Sequence, residues 1–483
     1  MIESGLSRYL VESDWPLGKV MEHVNAATSR VVFVMKGECV VGALSDGDIR
    51  RALLEGKALD EPVSDIMVTE FAFARPNTSP AAMHTMFGNG ISAIPVLAED
   101  GRLVDIRFEH LRSIIPVAEP EITAREIQLV NECLTSGWIS SAGRFVLQFE
   151  SDFANFIGVQ NAVSVSSGTT GLVLALKALG IGEGDEVIVP DLTFGATANA
   201  VVQVGARPVL VDVSEQDWCL DTDLVRQSIG PLTRAVLPVH LYGRAADIDS
   251  LLEIREEFGI YVIEDCAEAI GTHDAVAHVG TRSDAGVFSF FANKTITTGE
   301  GGMVCFRSPD KADLARSMKS HGFSNKKRYW HEQWGTNFRL TSLQAALGIA
   351  QLERADSIVA RRLSIAVQYR ELLEPLVSQG LQLPNEQGSG QHSHWLYTVL
   401  LPVGCDPDDV SAFLLSNGIE TRRVFYPLHE QPAFSDFAIH GVSYGASKAI
   451  AARGLSLPTW PGLTKSDLSH VAHTLTLALR QST

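Results

Sequence analysis

The chain is 483 residues long, 45% hydrophobic and 20% charged, with a formal net charge of -18. It is too long for one ordinary domain and apolar enough to bury a large core, so two or three domains are expected. The negative balance excludes a broad nucleic-acid-binding surface, while a small anionic ligand stays compatible with a locally positive site.

The opening stretch, MIESGLSRYLVESDW, is acidic and lacks an apolar run, so no signal peptide is expected. No stretch of roughly 18 or more apolar residues occurs, so no membrane partner is expected and the cytoplasm is the expected location. Two similar blocks follow: VVFVMKGECVVGALSDGDIRRALLEG (31–56) and ISAIPVLAEDGRLVDIRFEHLRSII (91–115). Each predicts a strand, a Gly turn, a second strand and a helix, with turns at Lys36-Gly37-Glu38 and Glu99-Asp100-Gly101. A helix-like stretch precedes each, GKVMEHVNAA and PAAMHTMFGNG. The segment is therefore an internal repeat of roughly 55 residues whose copies pack together.

This repeat resembles a tandem pair of CBS domains over about residues 8–115. The resemblance is most specific at Gly42-Ala43-Leu44-Ser45-Asp46-Gly47-Asp48-Ile49-Arg50-Arg51. In that family a Ser or Thr, with an Asp three residues later, holds the ribose and phosphate of an adenine nucleotide. Ser45 and Asp48 match that pattern, so the resemblance implies an adenine-nucleotide site with a regulatory role. The second copy, Asp105-Ile106-Arg107-Phe108-Glu109-His110, has neither group in place. The alternative is a packing or dimerisation module without a ligand.

The stretch IIPVAEPEIT (114–123) predicts a linker, because its prolines and acids break any helix. Strands then alternate with helices: EVIVP (186–190), PVLVDV (208–213), AVLPVH (235–240), YVIED (261–265), GVFSF (286–290) and GMVCF (302–306). That alternation predicts an α/β domain with a largely parallel sheet. A helical segment is expected over about 341–378, then a final α+β portion containing the strand HWLYTVLLP (394–402). The six cysteines are scattered without a C-x-x-C pair, so no metal site, iron–sulfur cluster or disulfide framework is expected.

Three segments carry chemistry. Ser166-Ser167-Gly168-Thr169-Thr170-Gly171 leads straight into an apolar helix, and a helix N-terminus offers unpaired N–H groups to a phosphate. Such small-residue caps also start many helices that bind nothing. Asp265, in Ile263-Glu264-Asp265-Cys266-Ala267-Glu268, ends an apolar strand where α/β ligand sites form. A carboxylate buried there wants a cationic partner, such as a protonated pyridine nitrogen, unless it bonds a loop backbone. Lys294 follows Phe288-Ser289-Phe290-Phe291-Ala292-Asn293, with Ile296 beyond. Apolar neighbours lower an amine's pKa and make it a competent Schiff-base nucleophile, whereas most loop lysines are simply solvated.

Together the three segments resemble the DegT/DnrJ/EryC1/StrS family of fold-type-I, pyridoxal-phosphate-dependent sugar aminotransferases, over about residues 114–480. Further family-like stretches are Ser136–Ser141, Gly184–Pro190, Val239–Gly243, Gly335–Leu340 and Tyr426–His429. The resemblance implies a mostly parallel sheet flanked by helices with a smaller C-terminal α+β domain. The implied division is 1–115 for the CBS pair, 116–365 for the large cofactor domain and 366–483 for the small domain. By position, Lys294 matches the lysine that condenses with pyridoxal phosphate, and Asp265 the acid that pairs with its ring N–H. Ser167, Gly168, Thr169 and Ser289 match the phosphate cradle, and Phe194 the aromatic stacked on the ring. Asn337 matches a residue that reaches the phosphate of a neighbouring subunit, implying a homodimer or higher homo-oligomer. Glu268 stands where Gln often bonds the ring hydroxyl, and so departs from the pattern.

The implied reaction moves an amino group from an amino acid, glutamate by expectation, to a nucleotide-linked keto-sugar. Lys326-Lys327-Arg328 and Arg422-Arg423 are the basic clusters available to a pyrophosphate. Lys327–His331 and Thr421–Pro427 look most like the perosamine-synthase-type branch, which implies a GDP-linked 4-keto-6-deoxyhexose. Two alternatives stay open from sequence: a pyridoxal-phosphate-dependent sugar dehydratase, and a non-catalytic nucleotide sensor. Retained Lys294 and the lack of a cysteine cluster weigh against the first. Retained Lys294, Asp265 and Ser289 weigh against the second.

Overall fold

The computed structural model describes residues 9–26, 31–76, 78, 86–87, 91–108, 114–324, 326–327, 329–385, 390–439 and 442–481. The chain divides into two compact units, Met1–Ser113 and Ile114–Thr483. In the first, β1 (Leu10–Glu12), β2 (Val31–Lys36) and β3 (Cys39–Ser45) form one sheet, while β4 (Ala93–Leu97) and β5 (Leu103–Phe108) pair antiparallel. Both hairpins turn at the expected glycines, Gly37 and Gly101, whose φ values of 64° and 85° favour a residue without Cβ. The first helix after a hairpin, Asp46–Leu54, follows β3 directly. The helices expected over 80–90 and 108–115 fall largely outside the described residues.

The second unit is built on a seven-stranded sheet. Its strands are β6 (Ala162–Val165), β7 (Glu186–Pro190), β8 (Arg207–Val211), β9 (Thr233–Val236), β10 (Tyr261–Asp265), β11 (Ala285–Ser289) and β12 (Gly302–Phe306). The order is β6-β12-β11-β10-β9-β7-β8, with parallel pairing from β11 through β8 and β12 antiparallel to both neighbours. Strands covered on both faces read as continuous apolar runs, which is why β7, β10 and β12 were legible. Ile188, Val262, Ile263 and Val304 are each fully buried. The strand expected over 235–240 is shorter, because Pro238 has no N–H to continue the ladder; β9 ends at Val236.

Two helices, Ser342–Glu353 and Ala355–Val377, lead to a three-stranded sheet of β13 (Tyr397–Leu400), β14 (Arg422–Arg423) and β15 (Gly454–Leu457) in the order β13-β15-β14. The stretch 114–123 is less free than a linker. Val117 is 1% exposed, Ile115 N–H donates to Gly418 O at 2.7 Å and Val117 N–H to the Glu420 carboxylate at 3.0 Å. Its apolar residues anchor it to the C-terminal lobe before Thr123 caps the next helix. Among the described residues, no helix is long and apolar enough to cross a membrane.

Candidate active site

The phosphate-type element forms where β6 meets the helix Gly168–Leu179. Ser167 caps that helix reciprocally: its hydroxyl accepts Thr170 N–H at 3.2 Å, and Thr170 Oγ1 accepts Ser167 N–H at 3.0 Å. The helix's first N–H groups, on Gly168 and Thr169, are orphan donors beside the positive dipole end. A Cβ on Gly168 would lie 2.9 Å from Ser289 Cβ, so glycine lets the helix start press against the end of β11. That contact sets the Ser289 hydroxyl beside the orphan donors.

Asp265 ends β10 and is 5% exposed. Its carboxylate accepts the Thr197 hydroxyl at 2.9 Å and Ala267 N–H at 3.1 Å. Burial pushes its pKa above the usual carboxylate range, against those two hydrogen bonds and the charge of Lys294. Thr197 lies one helical turn past Phe194, and nothing in the sequence marked it.

Lys294 sits in the turn after β11, held by its N–H to Phe291 O at 2.9 Å. Its side chain is 14% exposed, with Nζ 3.6 Å from Glu268 Oε1 and 3.9 Å above the Trp395 ring. Trp395 is fixed in turn by its indole N–H, which donates to Asn293 O at 2.8 Å. Burial lowers the amine's pKa, while Glu268 and Asp265 oppose the shift. Burial raises Glu268, whose carboxylate accepts Tyr242 N–H at 2.8 Å. Both shifts favour a neutral amine, which is the nucleophilic form. Trp395 lies about a hundred residues from Lys294, so no local pattern links the two.

These groups line one cavity of about 450 Å³. Every residue expected at the cofactor lines it except Asn337. Phe194 stands at the mouth, 62% exposed, its ring 5.7 Å from Phe425. Asn337 is exposed and accepts Arg339 Nε at 2.9 Å. A roomier hollow of about 620 Å³ lies by Trp218, Arg244 and Leu381, but it contains neither Lys294 nor Asp265.

The remaining candidates separate. In the first unit, Ser45 and Asp48 form their own capping box: Asp48 takes the Ser45 N–H at 3.0 Å and hydroxyl at 2.5 Å, and Ser45 Oγ accepts Asp48 N–H at 3.3 Å. Both side chains are thereby engaged at the start of their own helix. Lys327 Nζ stacks on Trp330 at 3.8 Å, and Arg328 falls outside the described residues. His240, Glu264 and Cys266 come within 4.8 Å of one another, fully buried. Their polar atoms serve the fold instead. His240 Nδ1 accepts Ala246 N–H at 3.0 Å, leaving Nε2–H for Glu264 at 2.9 Å; Glu264 also accepts the Ser283 hydroxyl and Gly280 N–H.

A largely parallel sheet whose strand ends gather an amine, a buried acid and a helix N-terminus defines the class: a fold-type-I, pyridoxal-phosphate-dependent transferase. The chain belongs to the DegT/DnrJ/EryC1/StrS aminotransferase family, whose model matches residues 120–476. A CBS domain model matches residues 63–106. The chain is 42% identical over 362 residues to GDP-perosamine synthase of Vibrio cholerae, covering 74% of this chain and 98% of that protein. The aminotransferase TlmJ from Streptoalloteichus hindustanus superposes with a TM-score of 0.72 at 33% identity, over 76% of this chain and 99% of that one. Spr1654 from Streptococcus pneumoniae, in its PLP form, gives 0.72 at 26% identity, over 77% of this chain and 100% of that one.

The cofactor of the enzyme is pyridoxal phosphate, and the residues present fit it. A buried carboxylate that forms no ion pair among the described residues suits a protonated ring nitrogen, and the orphan N–H groups by Ser289 suit a phosphate.

Proposed function

We propose that this chain transfers an amino group from glutamate to a nucleotide-linked keto-sugar, with a GDP-linked 4-keto-6-deoxyhexose as the acceptor. The observation that carries the reading is one cavity holding the Lys294 amine and the Asp265 carboxylate, in a chain 42% identical to a GDP-perosamine synthase.

Bound pyridoxal phosphate supplies an aldehyde that condenses with amines and a ring that accepts an electron pair. Lys294 is the residue that condenses with it. With the cofactor bound, Lys294 Nζ would be the base for the donor's Cα proton and then the acid that returns it. Burial shifts that amine toward its neutral, proton-accepting form, against the charges of Glu268 and Asp265. Asp265 would hold the proton on the ring nitrogen, and the Thr197 hydroxyl and Ala267 N–H fix the carboxylate for that role. Gly168 and Thr169 N–H groups, with the Ser167 and Ser289 hydroxyls, would hold the phosphate. Phe194, which lines the same cavity, would meet the ring. Glu268, between Tyr242 N–H and Lys294, faces the amine with an acceptor for its proton. The working unit in this reading is a homodimer, with exposed Asn337 turned to the phosphate of the second copy.

The test is a coupled assay of 2-oxoglutarate formation from glutamate, with a panel of nucleotide-linked keto-sugars. The expected result is stoichiometric 2-oxoglutarate and amino sugar, fastest with the GDP-linked 4-keto-6-deoxyhexose. Turnover with no keto-sugar in the panel would refute the reading. Faster turnover with a UDP- or dTDP-linked sugar would refute the GDP assignment alone.

A further inference from the structure

We propose that Arg422 is the group that binds the α-carboxylate of the amino donor. The inference rests on the aminotransferase reading above and adds to it a binding site for one of the two substrates.

Arg422 and Arg423 are neighbours in sequence, but strand alternation sends their side chains to opposite faces of β14. Arg422 pairs with Ser456 of β15 and Arg423 with Leu455. Arg423 is already neutralised: its guanidinium is 2.6 Å from Asp408 Oδ2 and 4.0 Å from Asp406, and it leans on the Tyr426 ring. Arg422 instead lines the cavity that holds Lys294, and among the described residues no carboxylate is recorded in an ion pair with it. Its charge reaches the amine, adding a minor contribution to the lowering of the Lys294 pKa. The inner acids of that cavity are engaged elsewhere, Asp265 with Thr197 and Ala267, and Glu268 with Tyr242 N–H and Lys294.

A half-buried guanidinium in no ion pair among the described residues favours an anion, and its planar fork matches a carboxylate's two oxygens. The chemistry of the reaction selects the anion. The donor carbon that loses its proton to Lys294 bears the carboxylate directly, so a cation in the same cavity meets it. The pyrophosphate of a sugar nucleotide is attached at the anomeric carbon, across the sugar ring from the keto carbon at position 4. The cofactor phosphate has its own donors at the start of the helix Gly168–Leu179.

The experiment compares glutamate with 4-aminobutyrate, an amine of the same skeleton without the α-carboxylate, by titrating the visible absorbance of cofactor-loaded protein. Nucleotide binding is measured separately, as calorimetric affinity for a GDP-linked sugar. In Arg422→Gln, the glutamate midpoint is expected to rise about 30-fold or more, the scale of removing one partner of a buried charge pair. The 4-aminobutyrate midpoint and the GDP-sugar affinity should stay within about two-fold of wild type. Arg422→Lys keeps the charge, loses the fork and is expected to fall between. A variant that loses GDP-sugar affinity while keeping its glutamate midpoint would overturn the proposal in favour of a pyrophosphate contact. Equal losses for both amines, or no loss, would also overturn it. If wild type itself fails to respond to glutamate but responds to another α-amino acid, the donor assignment falls, and the same comparison with that amino acid and its decarboxylated amine decides Arg422.

Discussion

Lys294→Ala is expected to abolish amino transfer, lowering turnover by about 10⁴-fold or more, because in the proposed reaction one amine serves both as the cofactor's attachment point and as the proton carrier. The fold should survive. The side chain makes one 3.6 Å ion pair, with Glu268, and rests on Trp395. Without the amine, Glu268 keeps its hydrogen bond from Tyr242 N–H, and burial favours its neutral form. The variant should therefore melt near the wild-type temperature while losing the visible absorbance of the loaded enzyme. Steady-state turnover with glutamate, read alongside a thermal melt, checks both halves. A variant retaining more than about a hundredth of wild-type turnover would remove Lys294 from the chemistry.

Asp265→Asn isolates the charge from the shape. The amide oxygen can still accept from Ala267 N–H while the amide NH2 donates to the Thr197 hydroxyl oxygen, so the end of β10 keeps its contacts. What disappears is the negative charge that the proposed mechanism sets against the ring nitrogen. Leaving a buried cation unpaired costs about 3–5 kcal/mol, so turnover should fall by about 10²–10³-fold, with weakened cofactor retention. Single-turnover kinetics at saturating cofactor separates the two effects. If the loss vanished at saturating cofactor, Asp265 would act in binding and not in the proton-transfer step.

Much of this site could be read from sequence because its parts sit where chain punctuation is strongest. Asp265 ends the apolar run of β10, Gly168 opens a helix, and Lys294 follows the aromatic end of β11. Each is local, and the sheet order brings the three strand ends together. Residues that reach the cavity from afar carried no such mark. Trp395 comes from the C-terminal lobe, and its place under Lys294 depends on a hydrogen bond to Asn293 across 102 residues. Thr197 looks like any helical Thr until its hydroxyl is found on Asp265. The Arg422-Arg423 pair read as one basic cluster, because sequence adjacency says nothing about Asp408, which holds only one of the two. Ser45 and Asp48 illustrate the converse. The spacing of a ligand motif is also the spacing of a capping box, and the two residues form that box here. The stretch 114–123 read as a linker because prolines and acids dominate it. Burial of Val117 decides otherwise, and burial is set by a lobe some three hundred residues later.

The most direct test is to reduce the cofactor-loaded protein with borohydride, which converts a lysine–cofactor imine to a stable amine, and to map the modified peptide by mass spectrometry. A phosphopyridoxyl group on Lys294, and on no other lysine at comparable yield, is the predicted result. The same label on a different residue, such as Lys319 or Lys327, or no label on a protein that still transfers amino groups, would contradict the account.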